Sequence, residues 1–185
     1  MQRIPLLDLE TAPEEVQSAL RALPVRLNIF RMMAHAPSSL RPLMRLGASI
    51  LSAQQLDPLL REYAVLLAAQ SFGGRYEWIQ HVSIAESCGA SHEQVAAIEK
   101  GDLGAPCFDD KEKCFLAFVD ESAKKVRCSD ATFAAMKKHF SDREIVETIL
   151  TIGYYQMLSR LTECTDTELD ESSGTRMMES LRPRK

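Results

Sequence analysis

Helix start and stop signals recur along the whole chain, and no stretch alternates apolar and polar residues long enough to suggest a strand. Pro13-Glu14-Glu15 puts proline and acids where a first helical turn favours them, with Val16, Ala19, Leu20 and Leu23 as an apolar stripe. Pro24 closes that segment. Asn28 is expected to cap a short helix over 29–36, ended by Pro37, and Ser38 or Ser39 to start another. Asp57-Pro58 opens 59–72, Gly73-Gly74 breaks it, and 76–88 follows with Gly89 just past its end. Ser91-His92-Glu93-Gln94 reads as a capping box stopped by Gly101. Asp109-Asp110 opens a segment to about 126, Ser129-Asp130 caps one through 140, and Ser141-Asp142 caps the last, 143 to about 162. The class is all-α. Asp57-x-x-x-Arg61-Glu62 and Asp142-Arg143-Glu144 echo one another at two helix starts, a hint of pseudo-symmetry only.

At 185 residues the chain suits one domain, 1–170, followed by a tail, 171–185. From Cys164 onward the apolar period fades and acids crowd together, so a poorly ordered tail or a partner-reaching arm is expected. A net charge of -4 argues against sequence-independent nucleic-acid binding. No run reaches the ~18 apolar residues of a membrane span, and charge interrupts the apolar N-terminus, so neither membrane nor signal peptide is expected. Cys88, Cys107, Cys114, Cys128 and Cys164 are odd in number, without C-x-x-C or zinc-finger spacing. They point to a cytoplasmic protein with reduced, mostly buried thiols.

The densest polar grouping on apolar ground is Arg61-Glu62 with Arg75-Tyr76-Glu77-Trp78-Ile79-Gln80-His81. Glu77 and His81 stand four apart, on one helical face. Glu62 sits among Leu59, Tyr63, Leu66 and Leu67 without an obvious route to solvent. If the Gly73-Gly74 break folds the two helices together, Glu62 can approach that face. Two carboxylates and an imidazole in one apolar pocket push their pKa values apart, as general acid/base work requires. The same pair could equally be an ordinary surface contact. A metal is not expected, because carboxylate di-iron bundles repeat Glu-x-x-His and this chain offers Glu-x-x-x-His once.

The run Arg61-Glu62, Tyr76-Glu77-Trp78-x-x-His81, Ala85-x-x-x-Gly89-Ala90-Ser91, preceded by 28–37, resembles the carboxymuconolactone decarboxylase / alkylhydroperoxidase D-like family over about 28–170. The resemblance implies an alkylhydroperoxidase D-like helical bundle. It places Glu62 at the family's glutamate and His81 at its histidine, Gly74 and Glu77 at the two redox-cysteine positions, and Tyr76 at a proton-relay position. Neither Gly nor Glu can form thiolate or sulfenate, so thiol peroxidase activity is not expected.

What remains is similar to the decarboxylase branch: a cofactor-free lyase with a Glu62/Glu77/His81 proton relay, Tyr76 beside it, acting on a small carboxylated lactone or related acid. Arg61 and Arg75 are candidates to hold its carboxylate, unless they are surface or intersubunit residues. The alternatives are a peroxidase-related protein without its redox cysteines, or a non-catalytic oligomeric protein binding a small acid. The resemblance also implies a homo-oligomer, trimer or hexamer, with Met32, Met33, Met157 and Leu161 as candidate interface residues. Trp78 reads as core or interface, His35 as structural, and Cys88 as a buried thiol rather than a sensor. Phe115, Phe118, Phe133 and Phe140 read as core.

Overall fold

A computed structural model describes residues 2–171 and Arg176. Its regular elements, among these residues, are α1 (Glu14–Arg21), α2 (Asn28–Met33), α3 (Pro37–Ser52), α4 (Pro58–Phe72), α5 (Arg75–Ser87), α6 (His92–Lys100), α7 (Asp110–Lys125), α8 (Asp130–His139) and α9 (Asp142–Thr165). None is long and apolar enough to cross a membrane.

The central element is α4. Every residue from Leu60 to Ala69 is buried, Arg61 and Glu62 included, because α5, α6, α7 and α9 pack around it. The Asp57 carboxylate accepts from the Leu59 and Leu60 amides at its start, and Pro58 fills the first helical position. At its end Gly73 is left-handed (φ 67°), and the Gly74 amide reaches back to the Ala69 carbonyl at 2.8 Å. This Schellman closure leaves only Gly73 and Gly74 between α4 and α5, so α5 folds back along α4.

Two apolar clusters flank this pair. One joins Tyr63, Leu66 and Leu67 of α4 to Phe115, Leu116 and Phe118 of α7 and Met136 of α8. The other joins α1, α2 and α3 through Leu20, Met33 and Leu40 to Tyr154, Tyr155 and Leu158 of α9. Each fully buried large side chain contributes ~1.5–3 kcal/mol, so the α4–α5–α9 junction between the clusters is held from both sides. Glu147 of α9 adds a polar tie, accepting from the Gln55 and Leu56 amides at 2.8 Å just before α4.

Several expectations need correction. Asn28 is not a cap: Leu27 holds that position, and the Asn28 amide donates to the Asp170 carboxylate at 2.7 Å. Pro37, expected to end α2, is the first residue of α3. Cys164 lies inside α9, and 166–171 packs on this chain's own α2 and α5 rather than trailing away. The rest of the predicted tail, apart from Arg176, lies outside the described residues. Met32 and Met33 are buried within the chain, which removes them as interface candidates, whereas Met157 is exposed and Leu161 half-buried against the second cluster. Phe133 is exposed at the rim beside Phe118 rather than in the core. The thiols are less buried than expected: four are half-buried and Cys164 is exposed, with Cys107 and Cys128 on the edge of the first cluster. The echo between α4 and α9 is not structural equivalence, since Asp57 caps α4 while Ser141 caps α9.

Candidate functional site: a buried Glu62–His81 pair on an apolar cavity

The first turn of α4 carries Arg61 and Glu62 into the interior, and the first two turns of α5 carry Tyr76, Glu77, Gln80 and His81 against them. Glu62 has no solvent exposure. Its Oε2 stands 2.7 Å from His81 Nδ1, and its Oε1 accepts from Arg61 Nε at 2.9 Å. Burial alone would raise the Glu62 pKa, but His81 and Arg61 together hold it below the usual carboxylate range. An ionised carboxylate can only accept, so Nδ1 is the donor. The imidazole edge rests on the Tyr155 ring, with centroids 4.7 Å apart. Nε2, the remaining ring nitrogen, has no protein partner among the described residues.

Arg61 does not hold a free guanidinium toward a ligand. Nη1 donates to the Leu51 carbonyl of α3 at 3.1 Å, and Nη2 is buried without a partner among the described residues. Its role in this arrangement is to neutralise Glu62 and to anchor the end of α3.

Glu77 is brought to the same cavity but not to the same hydrogen bond. Thr162 Oγ1 of α9 lies 3.2 Å from both of its carboxyl oxygens. Burial raises the Glu77 pKa, and Thr162, Ser159 and His81 offset this only in part. The Glu62 and Glu77 carboxyls are therefore driven in opposite directions.

A cavity of about 460 Å³ opens beside these groups. Its lining runs from the buried Tyr76, Glu77, His81 and Tyr155, through buried apolar residues such as Ile29, Met33 and Leu158, to the half-buried Leu23 and the exposed Pro24, Arg41 and Arg45, which mark its mouth. The Tyr76 ring lines this cavity, but its hydroxyl donates to the Asp170 carboxylate and accepts from the Ile29 amide. Burial, with Asp170 beside it, pushes the Tyr76 pKa up, so the phenol stays protonated. Arg75 is exposed and does not line this cavity. It borders a separate surface hollow with Glu163 and Glu168. No group of three potential metal ligands occurs among the described residues.

The sequence reading missed Tyr154, Tyr155 and Thr162 of α9, and Arg41 and Arg45 of α3. The adjacent tyrosines within an apolar helical pattern were a signal that could have been used; the arginines gave none. Gly74, at a position where the resemblance expects a redox cysteine, has no room for a side chain. A Cβ there would stand 2.3 Å from Ser159 Oγ and 2.9 Å from Glu77 Oε2. The half-buried thiols of Cys88 and Cys114 have pKa values pushed up by burial, the opposite of a nucleophile's.

No family model matches this sequence, and no curated protein does. Solved structures match in fold. The AhpD core of an uncharacterized peroxidase-related protein from Ralstonia eutropha gives a TM-score of 0.79 at 17% identity, over 99% of this chain and 98% of that one. A peroxidase-related protein from Silicibacter sp. gives 0.77 at 17% identity, over 91% and 92%. The debrominase Bmp8 in complex with 2,3,4-tribromopyrrole gives 0.72 at 17% identity, over 98% and 100%. Identities this low speak for backbone architecture and not for chemistry, and by that architecture the chain is an all-α protein of the AhpD-like fold.

Proposed function

We propose that the chain is a lyase of the carboxymuconolactone decarboxylase type, releasing CO2 from a conjugated carboxylic acid without a cofactor. The observation that carries this is the buried Glu62 carboxylate on His81 Nδ1, which leaves Nε2 as the free nitrogen beside an apolar cavity. In the reaction the bond to the substrate carboxyl breaks and CO2 leaves. The electron pair stays on carbon, delocalised into the conjugated system. Protonated His81 gives its Nε2 proton to that carbon and recovers one from solvent. The apolar walls favour loss of a charged carboxylate by removing its water. Glu62 holds Nδ1–H and so orients the ring, stabilises the charge it carries before the transfer, and fixes the Nδ1–H tautomer left after it, as a buried carboxylate does in a catalytic triad. Glu77, one turn away from His81 and biased toward its protonated form, is a proton reservoir on the same wall.

The test is CO2 release from a panel of carboxylated lactones and unsaturated acids, run in D2O so that product carries one deuterium at the new C–H bond. His81→Gln and Glu62→Gln are each expected to lower the rate by roughly 10²–10⁴. Binding without product would instead make this a small-acid-binding protein. Hydroperoxide consumption with a dithiol that persists after all five thiols are blocked would sink the lyase reading in favour of a thiol-independent peroxidase.

We also propose self-association through α9, where Val146, Ile149, Leu150 and Met157 form an exposed apolar stripe at helical spacing. Light scattering is expected to give a multiple of 20.7 kDa, reduced toward the monomer by Leu150→Glu.

A further inference from the structure

The exposed rim of the cavity carries charge that no carboxylate among the described residues pairs with. Arg45 is exposed on α3 and has no hydrogen bond or ion pair among the described residues, yet it lines the cavity. Arg41, one turn earlier on the same face, donates only to uncharged groups: the Glu15 carbonyl at 3.2 Å and Ser18 Oγ at 3.3 Å. Two cations on one helix face, without a paired carboxylate among the described residues and at the rim of a mostly apolar chamber, are an arrangement suited to an anionic head group.

The helix that carries them also supplies a ruler. Leu51, on α3, meets Arg61 through its carbonyl, and Arg61 leads directly to Glu62 and His81. Arg45 precedes Leu51 by six residues and Arg41 by ten, so at the helical rise their backbone positions stand about 9 Å and about 15 Å back along α3 from the residue that meets Arg61. The chamber, about 460 Å³, is in the range for ligands of drug-like size, ~300–1,000 Å³.

From this we infer that the cavity takes an elongated amphipathic acid, with an anionic group at Arg45 and Arg41 and an apolar body reaching to His81. This rests on the proposed function only in placing the reacting end at His81; the head-group site stands on the charge and the geometry. A substrate of the lyase would thus carry a second anionic group, remote from the carboxyl that leaves, with an apolar spacer between.

Straight-chain carboxylates test this without turnover. Butanoate, octanoate and dodecanoate, with octanol as the uncharged control, are titrated by calorimetry against the wild-type chain, Arg45→Glu and His81→Gln. Affinity is expected to rise at least tenfold from butanoate to octanoate, because four more methylene groups leave water for the apolar chamber. Octanol is expected to bind more weakly than octanoate. Arg45→Glu should weaken octanoate by about three- to tenfold, the range for a partly exposed charge pair, while leaving octanol unchanged. His81→Gln should leave octanoate binding within about twofold of wild type. Equal affinity for butanoate and octanoate, or octanoate binding indifferent to Arg45→Glu and lost in His81→Gln, would overturn the assignment by placing the anion at the inner end. Absence of CO2 release would count against the lyase and leave these affinities untouched.

Discussion

Glu62 Oε2 lies 2.7 Å from His81 Nδ1 across the α4–α5 interface, in a place where the carboxylate has no exposure. Its other oxygen is 2.9 Å from Arg61 Nε, so one buried anion is shared between two buried partners. Removing it strands Arg61, whose Nη2 already has no partner among the described residues. Breaking a buried charge pair by deleting one side costs about 3–5 kcal/mol. Glu62→Gln is therefore expected to lower the urea midpoint substantially at neutral pH. Glu62 has a folded pKa below the unfolded 4.5, so its stabilisation is present above that value and is lost as pH falls through the folded one. Wild type should lose stability below about pH 4.5 more steeply than Glu62→Gln, measured by urea unfolding from pH 3 to 6. Parallel acid limbs would refute it.

Glu77 carries the opposite sign. Its folded pKa is raised above 4.5 by burial, so the unfolded chain releases this proton first as pH increases. Stability linked to Glu77 is complete below pH 4.5 and declines as pH rises through the folded pKa. The loss is ~1.4 kcal/mol for each pH unit between the unfolded and folded values. Glu77→Gln keeps the Thr162 contact without the ionisation. It should be more stable than wild type at pH 7.5 and match it at pH 4, while turnover falls if Glu77 feeds the relay. A variant no more stable at pH 7.5 would show that the buried carboxyl is not strained by ionisation there.

Much of this arrangement was legible in the sequence, for reasons that are local. Asp57-Pro58 and Gly73-Gly74 set the limits of α4 through caps and turns that depend on near neighbours. With those limits placed, the spacing of Glu62, Glu77 and His81 put all three near one interface. Which carboxyl takes the imidazole was not legible. Glu77 shares a helical face with His81 and looks the better partner, but α9 presents Thr162 to it, and the Glu62 side chain fills the space beside Nδ1. Arg41 and Arg45 carry no local signal, because their setting depends on where α1 and the linker to α2 lie. Asn28 misled for a similar reason: its amide partner, Asp170, is 142 residues away.

Gly74 measures how far the chain has packed around a side chain it lacks. Its backbone (φ -72°, ψ 80°) is open to any residue, so the constraint is purely of space: Ser159 Oγ at 2.3 Å and Cβ at 2.8 Å from a virtual Cβ. Gly74→Ala is expected to cost ~1–3 kcal/mol as an overpacked substitution. Ser159→Gly in the same chain should restore most of it, since the two nearest of the three clashing atoms go and only the end of the Glu77 side chain, at 2.9 Å, remains. Gly74→Cys should be equally destabilised and show no hydroperoxide consumption. Thermal melts of the three variants check the first two statements. A Gly74→Ala melt equal to wild type would show that Ser159 moves aside freely.

Asp170 makes the last residues of the described chain part of the site's support. Its carboxylate accepts from the Asn28 amide at 2.7 Å and from the Tyr76 hydroxyl, and Gln80 Nε2 donates to the carbonyls of Asp170 and Glu171. Both Tyr76 and Gln80 face the cavity from α5. The Tyr76 hydroxyl is thus committed to tethering this segment, and Tyr76→Phe is expected to leave turnover within a few-fold of wild type. Asp170→Ala removes a carboxyl acceptor from a backbone amide, worth ~1.5 kcal/mol. Hydrogen exchange at Asn28 should then quicken about tenfold, while amides deep in α4 keep their protection. Exchange at Asn28 unchanged in Asp170→Ala would mean that α2 is held by its own packing and not by the returning chain. A loss of turnover in Tyr76→Phe matching that of His81→Gln would instead return the phenol to the relay.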